Sequence, residues 1–143
     1  MSQPKIDYPK IKVLVIDDQQ FIRSIIVRFL RYMGVEHIAE AKDGESALKT
    51  CKDFAPDIAF CDIDMTPMNG LTFLKELRRS VEIPRARTLP VIMLTSHNES
   101  NVVMEARASG IDAFLVKPVS QKAVNDRFDW VVAKHYKDYV KAP

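Results

Sequence analysis

Two periodicities alternate along this 143-residue chain, and no other feature restricts its fold so much. Five short runs, "IKVLVI", "HIAEA", "DIAFC", "VIMLT" and "AFLVK", are apolar and rich in β-branched residues, and they read as strands. Between them apolar residues recur at helical spacing. Phe21, Ile22, Ile25, Ile26, Phe29 and Leu30 form one such stripe, and Leu71, Phe73, Leu74 and Leu77 form another. Gly34, Pro84 and Gly110 fall where the first, third and fourth helices should stop. Asp43 and Ser120 are placed to cap helix N-termini. Strands and helices taking turns imply parallel βαβ units, because parallel neighbours need a crossover that a hairpin does not supply. The nearly unbroken apolar run "VIMLT" suits a central strand covered on both faces. The predicted fold is therefore α/β, a doubly wound parallel five-stranded sheet of (βα)5 type. The length fits one domain, predicted over residues 11–140, behind a loose segment at residues 1–10. The last few residues are expected to be loose as well.

Polar residues gather at one place in that scheme. Asp17 and Asp18 close the first strand, Asp62 the third, Thr95 the fourth and Lys117 the fifth. In open parallel sheets the binding crevice lies outside the carboxyl ends of the strands, where the strand order reverses. Given the order 2-1-3-4-5, common in such sheets, the first and third strands are neighbours there and Asp17, Asp18 and Asp62 converge. A lone acid would merely cap a helix, and a lone lysine would be a solvated charge. Three acids, a hydroxyl and a lysine at four strand ends make a site. Two like charges at about 4 Å cost on the order of 4 kcal/mol at an effective dielectric of 20. Either a carboxyl keeps its proton or a cation enters. A few hard oxygen ligands favour Mg²⁺, with Mn²⁺ as a substitute. Thr95 and Lys117 then suit a group that spreads negative charge over several oxygens, and phosphoryl is the simplest. Asp62 is the nucleophile on this reading, forming an acyl phosphate.

Composition removes several other classes. A formal charge of +2 lacks the strong basic bias of a typical nucleic-acid binder. The opening "MSQPKIDYPKIK" carries proline and charge where a signal peptide needs an apolar run, and no stretch approaches a membrane span. A cytoplasmic location is expected. Cys51 and Cys61 sit in apolar surroundings without a Cys-x-x-Cys spacing, so two buried reduced thiols are expected. No pair among His37, His97 and His135 has metal-ligand spacing.

The pieces "VLVIDDQ", "EAKDGESAL", "PDIAFCDIDMTPMNGLTFLKELR", "LPVIMLTS" and "GIDAFLVKP" appear in this order, and with them the chain resembles the response-regulator receiver family over nearly its whole length. The resemblance implies a flavodoxin-like fold and a phospho-acceptor of two-component signalling that is not an enzyme in the ordinary sense. Asp62 would take phosphoryl from a phosphohistidine on a sensor histidine kinase or a histidine phosphotransfer protein. Asp18, the Asp62 side chain and the backbone carbonyl of Asp64 would bind Mg²⁺, with Asp17 acting through water. Thr95 and Lys117 would contact the phosphoryl oxygens. Phe114 falls at the switch-aromatic position, where its ring would rotate as Thr95 draws inward. Two departures stand out. The family's usual proline four residues after the acceptor is replaced by Thr66, with Pro67 one later and still biasing Thr66 towards extended backbone. Phe114 lacks a tyrosine hydroxyl, which leaves a steric switch.

The spelling "DIDMT" also fits the nucleophile motif of haloacid-dehalogenase-type phosphatases, in which both acids work. In that fold the nucleophile strand comes first and the metal-binding acids follow. Here Asp17 and Asp18 precede Asp62, and Asp126 and Asp129 fall in a helical pattern. Motif order favours the receiver. Asp62 then reacts while Asp64 mainly lends its backbone, although the Asp64 side chain and His97 are candidates for tuning the phospho-Asp lifetime.

Nothing follows the last helix in this sequence, so the output is expected to be a change of surface, with no direct DNA binding and no membrane insertion. The expected surface is the fourth helix, fifth strand and fifth helix, binding a downstream protein and allowing a monomer or weak dimer. Met104 and Trp130 are candidate exposed anchors there, since Val102, Val103, Ala106, Val124, Phe128 and Val131 supply the inward stripes. The last helix is expected to continue through "KHYKDYV", offering Tyr136 and Tyr139 to a contact. In "RRSVEIPRARTLP", Arg78, Arg79, Arg85 and Arg87 read as a solvated basic loop or as an anion patch for a nucleotide second messenger. A motor effector, a phosphorelay intermediate and a kinase-regulating adaptor all fit these features.

Overall fold

The computed structural model describes residues 5–96 and 100–141, with residues 100–103 described through their backbone. In chain order the elements are β1 (Lys5–Ile6), β2 (Lys12–Ile16), α1 (Gln20–Met33), β3 (His37–Ala41), α2 (Gly44–Phe54) and β4 (Ile58–Asp62). Next come α3 (Gly70–Arg79), β5 (Val91–Thr95), α4 (Ser100–Ala108), β6 (Ala113–Val116), α5 (Gln121–His135) and β7 (Val140–Lys141). Strands β2 to β6 form one parallel sheet in the order β3-β2-β4-β5-β6, which is 2-1-3-4-5 when those five are counted alone. The alternating periodicities predict the doubly wound parallel sheet, and its order is the flavodoxin-like one that the resemblance implies.

Alternation along each strand feeds two cores. Val13, Val15, Phe60, Ile92 and Leu94 point to one face and pack with Ile26 and Leu30 of α1 and Val124, Phe128, Val131 and Val132 of α5. Leu14, Ile16, Ala59, Cys61, Val91 and Met93 point to the other, against Ala47 and Cys51 of α2 and Phe73, Leu74 and Leu77 of α3. All five residues of β4 and of β5 are buried, as a central strand covered on both faces requires. Cys51 and Cys61 are free thiols inside the second core.

The caps explain the element boundaries. Asp43 accepts from the Ser46 N–H at 2.8 Å and Ser120 from the Ala123 N–H at 3.1 Å, as predicted; Asn69 does the same for Thr72 at 2.9 Å. Helix α1 ends at Gly34, whose φ of 112° is a left-handed conformation that suits glycine. Helix α3 stops at Arg79, well before Pro84, because Ser80 turns to extended backbone.

Two expectations about the flanks need correction. From Lys5 onward the start of the chain is not loose: β1 pairs antiparallel with β7, and Ile6 is buried in the first core. The last helix does not run through "KHYKDYV" either. It ends at His135, a 3-10 turn follows at Lys137–Tyr139, and Tyr136 and Tyr139 fold back onto Asp57. The hydroxyls that sequence reading offered to a partner are spent within the chain. No helix among the described residues is long and apolar enough to cross a membrane.

Candidate functional site

The carboxyl ends of β2, β4, β5 and β6 deliver the polar residues to one rim. Asp17 follows β2 directly, Asp62 ends β4, Thr95 ends β5 and Lys117 follows β6. Because β2 and β4 are neighbours, carboxylate oxygens of Asp17, Asp18 and Asp62 lie within 4.8 Å of one another. Asp17 and Asp62 are buried, while Asp18 is exposed. A close approach shapes the floor. A side-chain carbon on Gly70, the first residue of α3, would collide with the Asp62 carbonyl oxygen and with Ile63 Cα, so α3 can start here only on glycine.

Among the described residues a single ammonium serves this acidic rim. Lys117 Nζ lies 3.1 Å from Asp17 Oδ2, to which it donates, and 3.1 Å from Asp62 Oδ1. Asp17 is well provided for, since its Oδ1 also accepts from the Gln19 N–H at 2.9 Å. Asp62 is not. Its buried Oδ1 meets the ammonium as an ion pair and accepts no hydrogen bond of its own, while the Asp64 backbone also favours the charged form of the group. Burial, and then the negative charge of Asp17, push the Asp62 carboxyl up to about 6 against the opposing pull of Lys117. Burial would depress the Lys117 ammonium, but its pairing with Asp62 and Asp17 wins and raises it. One positive charge facing three carboxyls leaves an excess of hard oxygen donors around an orphaned buried oxygen. That donor set fits a small divalent cation such as Mg²⁺.

The remaining candidates divide. Thr95 is buried at the same rim, and its carbonyl accepts the Lys117 N–H at 2.8 Å. Phe114 is half-buried on β6, and with Thr95 and Trp130 it lines a cavity of about 380 Å³. Met104 and Trp130 are exposed on that side, at 67% and 52%, while Val124, Phe128, Val131 and Ala106 are buried. The Asp64 side chain is exposed and accepts from Ser96 Oγ at 3.1 Å, a partner that sequence reading passed over although it follows Thr95 directly. His97 lies outside the described residues, as do the side chains of Val102 and Val103. The Thr66–Pro67 and Lys117–Pro118 peptide bonds are both cis.

The four arginines are engaged separately, although Arg78 and Arg79 line one surface pocket with Lys75. Arg78 donates to the carbonyls of Ala86 and Gly110, Arg79 pairs with Glu76, and Arg85 donates to Asp57 at 2.8 Å and to the Tyr136 hydroxyl at 3.0 Å. They are neighbours in sequence, but their guanidinium groups are directed at separate partners, and Arg87 is simply exposed.

A family model described as the response regulator receiver domain matches residues 13–129. The chain is 31% identical to chemotaxis protein CheY-3 of Vibrio cholerae over 118 residues, covering 82% of this chain and 88% of that protein. Among solved structures, Vibrio cholerae CheY4 superposes with a TM-score of 0.78 at 28% identity, over 85% of this chain and 98% of that one. The CheY of a CheX-CheY-BeF3-Mg²⁺ complex from Borrelia burgdorferi gives a TM-score of 0.77 at 28% identity, over 85% and 88% of the two chains.

Proposed function

The chain belongs to the response regulator receiver family, and from that premise we propose that Asp62 is the phospho-acceptor of a Mg²⁺-dependent transfer from a phosphohistidine. The observation that carries the reading is the buried Asp62 Oδ1, ion-paired with the Lys117 ammonium at 3.1 Å and accepting no hydrogen bond. An oxygen that is neither solvated nor hydrogen-bonded keeps its lone pairs for an electrophile. It would form the new oxygen–phosphorus bond as the nitrogen–phosphorus bond of the donor breaks and the imidazole leaves. Asp18, Asp62 and the Asp64 backbone carbonyl would hold Mg²⁺, with Asp17 acting through water; the ion supplies charge neutralisation for the incoming phosphoryl oxygens. Lys117 is already within reach of the acceptor, and Thr95 stands at the same rim to take a phosphoryl oxygen. The Borrelia burgdorferi complex, which holds beryllofluoride and Mg²⁺ with a CheY, supports this reading.

The partner on the input side would be a sensor histidine kinase or a histidine phosphotransfer protein. Output would pass through α4, β6 and α5, where one cavity is lined by Thr95, Phe114 and Trp130 and where Trp130 stands exposed. Asp64, bonded to Ser96, is placed to influence the lifetime of the acyl phosphate. The test is incubation with Mg²⁺ and a small acyl-phosphate donor, followed by intact mass. The wild type should gain one phosphoryl group and Asp62→Asn none; equal labelling of both would overturn the assignment.

A further inference from the structure

The matched span of the family model ends at residue 129 and begins at residue 13, and the segments on either side of it are built into one small structure. Lys5 pairs with Lys141 and Ile6 with Val140, and the Asp7 N–H donates to the Tyr139 carbonyl at 2.8 Å. Tyr8 then enters the crevice between α1 and α5. Its hydroxyl donates to Asp129 Oδ1 of α5 at 2.7 Å, its ring lies 6.1 Å from that of Phe128, and its Cβ borders Gly34 at the end of α1. From the other side, the Tyr136 hydroxyl donates to the Asp57 carbonyl and the Tyr139 hydroxyl to Asp57 Oδ2.

Helix α5 is tied along its whole length, in its middle and at its end by the flanking segments. Gln121 at its start donates to the Phe29 carbonyl of α1 at 3.1 Å, Asp129 in its middle accepts from Tyr8, and His135 at its end contacts Asp112 at 2.6 Å. Helix α4 is held differently. Among the residues whose side chains are described, Ala106 is its one buried residue, and the ties they show are an exposed Lys75–Glu105 pair and the Arg78 contact with Gly110 just past its end.

We propose that the two flanking segments are a strap that locks α5 to α1 and to the lower rim of the sheet. It makes α5 the fixed part of the face that α4, β6 and α5 form. The second part of this statement rests on the receiver reading above; the first does not.

Amide hydrogen exchange on the full chain separates the two. Without any phosphoryl mimic, Tyr8→Phe removes the hydroxyl that reaches Asp129 while keeping the ring, and α5 amides should then exchange roughly fivefold faster, the scale of one lost hydrogen bond. Unchanged α5 exchange in Tyr8→Phe would overturn the strap. With Mg²⁺ and beryllofluoride, wild-type peptides covering residues 104–116 should change protection while α5 stays within about twofold. An α5 response as large as that of α4 would overturn the fixed role of α5. Bound beryllofluoride is read separately by its fluorine resonance; if none binds, the receiver reading fails, and the strap stands or falls on Tyr8→Phe alone.

Discussion

Asp57 and Asp62 sit at opposite ends of the same strand, both buried, and they are treated in opposite ways. At the lower rim Asp57 accepts from the Lys12 N–H at 2.9 Å, from Arg85 at 2.8 Å and from the Tyr139 hydroxyl at 3.2 Å. Its charge is satisfied from three directions by donors that belong to the fold. At the upper rim, roughly 16 Å away at the usual rise of a strand, Asp62 shares one ammonium with Asp17 and keeps an oxygen without a hydrogen bond. Burial of a carboxylate therefore has two outcomes in one molecule. Where donors surround it, the group holds the structure together; where they are withheld, the group is left disposed to react.

Exchanging the two fates by mutation breaks or confirms the contrast. The largest effect expected on folding is that of Asp57→Ala. It strands the Lys12 N–H and the Tyr139 hydroxyl and removes the carboxylate that pairs with Arg85, at a cost on the order of 3 kcal/mol in urea unfolding. Phosphoryl uptake by the folded fraction should persist. Asp62→Asn should do the reverse, keeping the unfolding midpoint at or above wild type. If both variants lose stability alike, the upper carboxylate is structural too.

A smaller effect follows from pH. The Asp62 carboxyl is raised from 3.8 to about 6, so folding favours its protonated form. Its contribution is fully present below the unfolded value and disappears as pH rises through the folded value. In metal-free buffer, stability should therefore fall between pH 4 and pH 7 by on the order of 2 kcal/mol, and Mg²⁺ should restore it at the upper end. Denaturation midpoints of wild type and Asp62→Asn across that range would show the slope, and its survival in the variant would assign it elsewhere. The smallest effect is that of Tyr139→Phe, which removes one of three donors to Asp57 and should cost about 1 kcal/mol without touching phosphoryl uptake.

The upper rim was legible in the sequence because its logic is local. Each of Asp17, Asp62, Thr95 and Lys117 ends or follows an apolar run, parallel strands put those ends on one rim, and the common strand order makes the first and third neighbours. The lower rim was not. Asp57 is joined to Lys12, Arg85 and Tyr139 across separations of 45, 28 and 82 residues, and no periodicity registers such pairs. For the same reason "KHYKDYV" reads as more helix: its tyrosines follow a helical spacing, while the tertiary pull of Asp57 ends α5 at His135. The arginines show the same limit: they are close in sequence, while Arg78 and Arg85 serve different carbonyl and carboxylate groups.

The pairing of Lys5 with Lys141 places the two described ends of the chain side by side, next to the satisfied rim and away from the acidic one. Topologically the molecule is almost a ring. A short bridge between those ends, with a new opening cut at fully solvated Val81, would leave every strand neighbour and the acceptor pocket in place. The same adjacency makes either end a harmless mooring point for a surface or a dye, provided the linker leaves β1 and β7 free to meet.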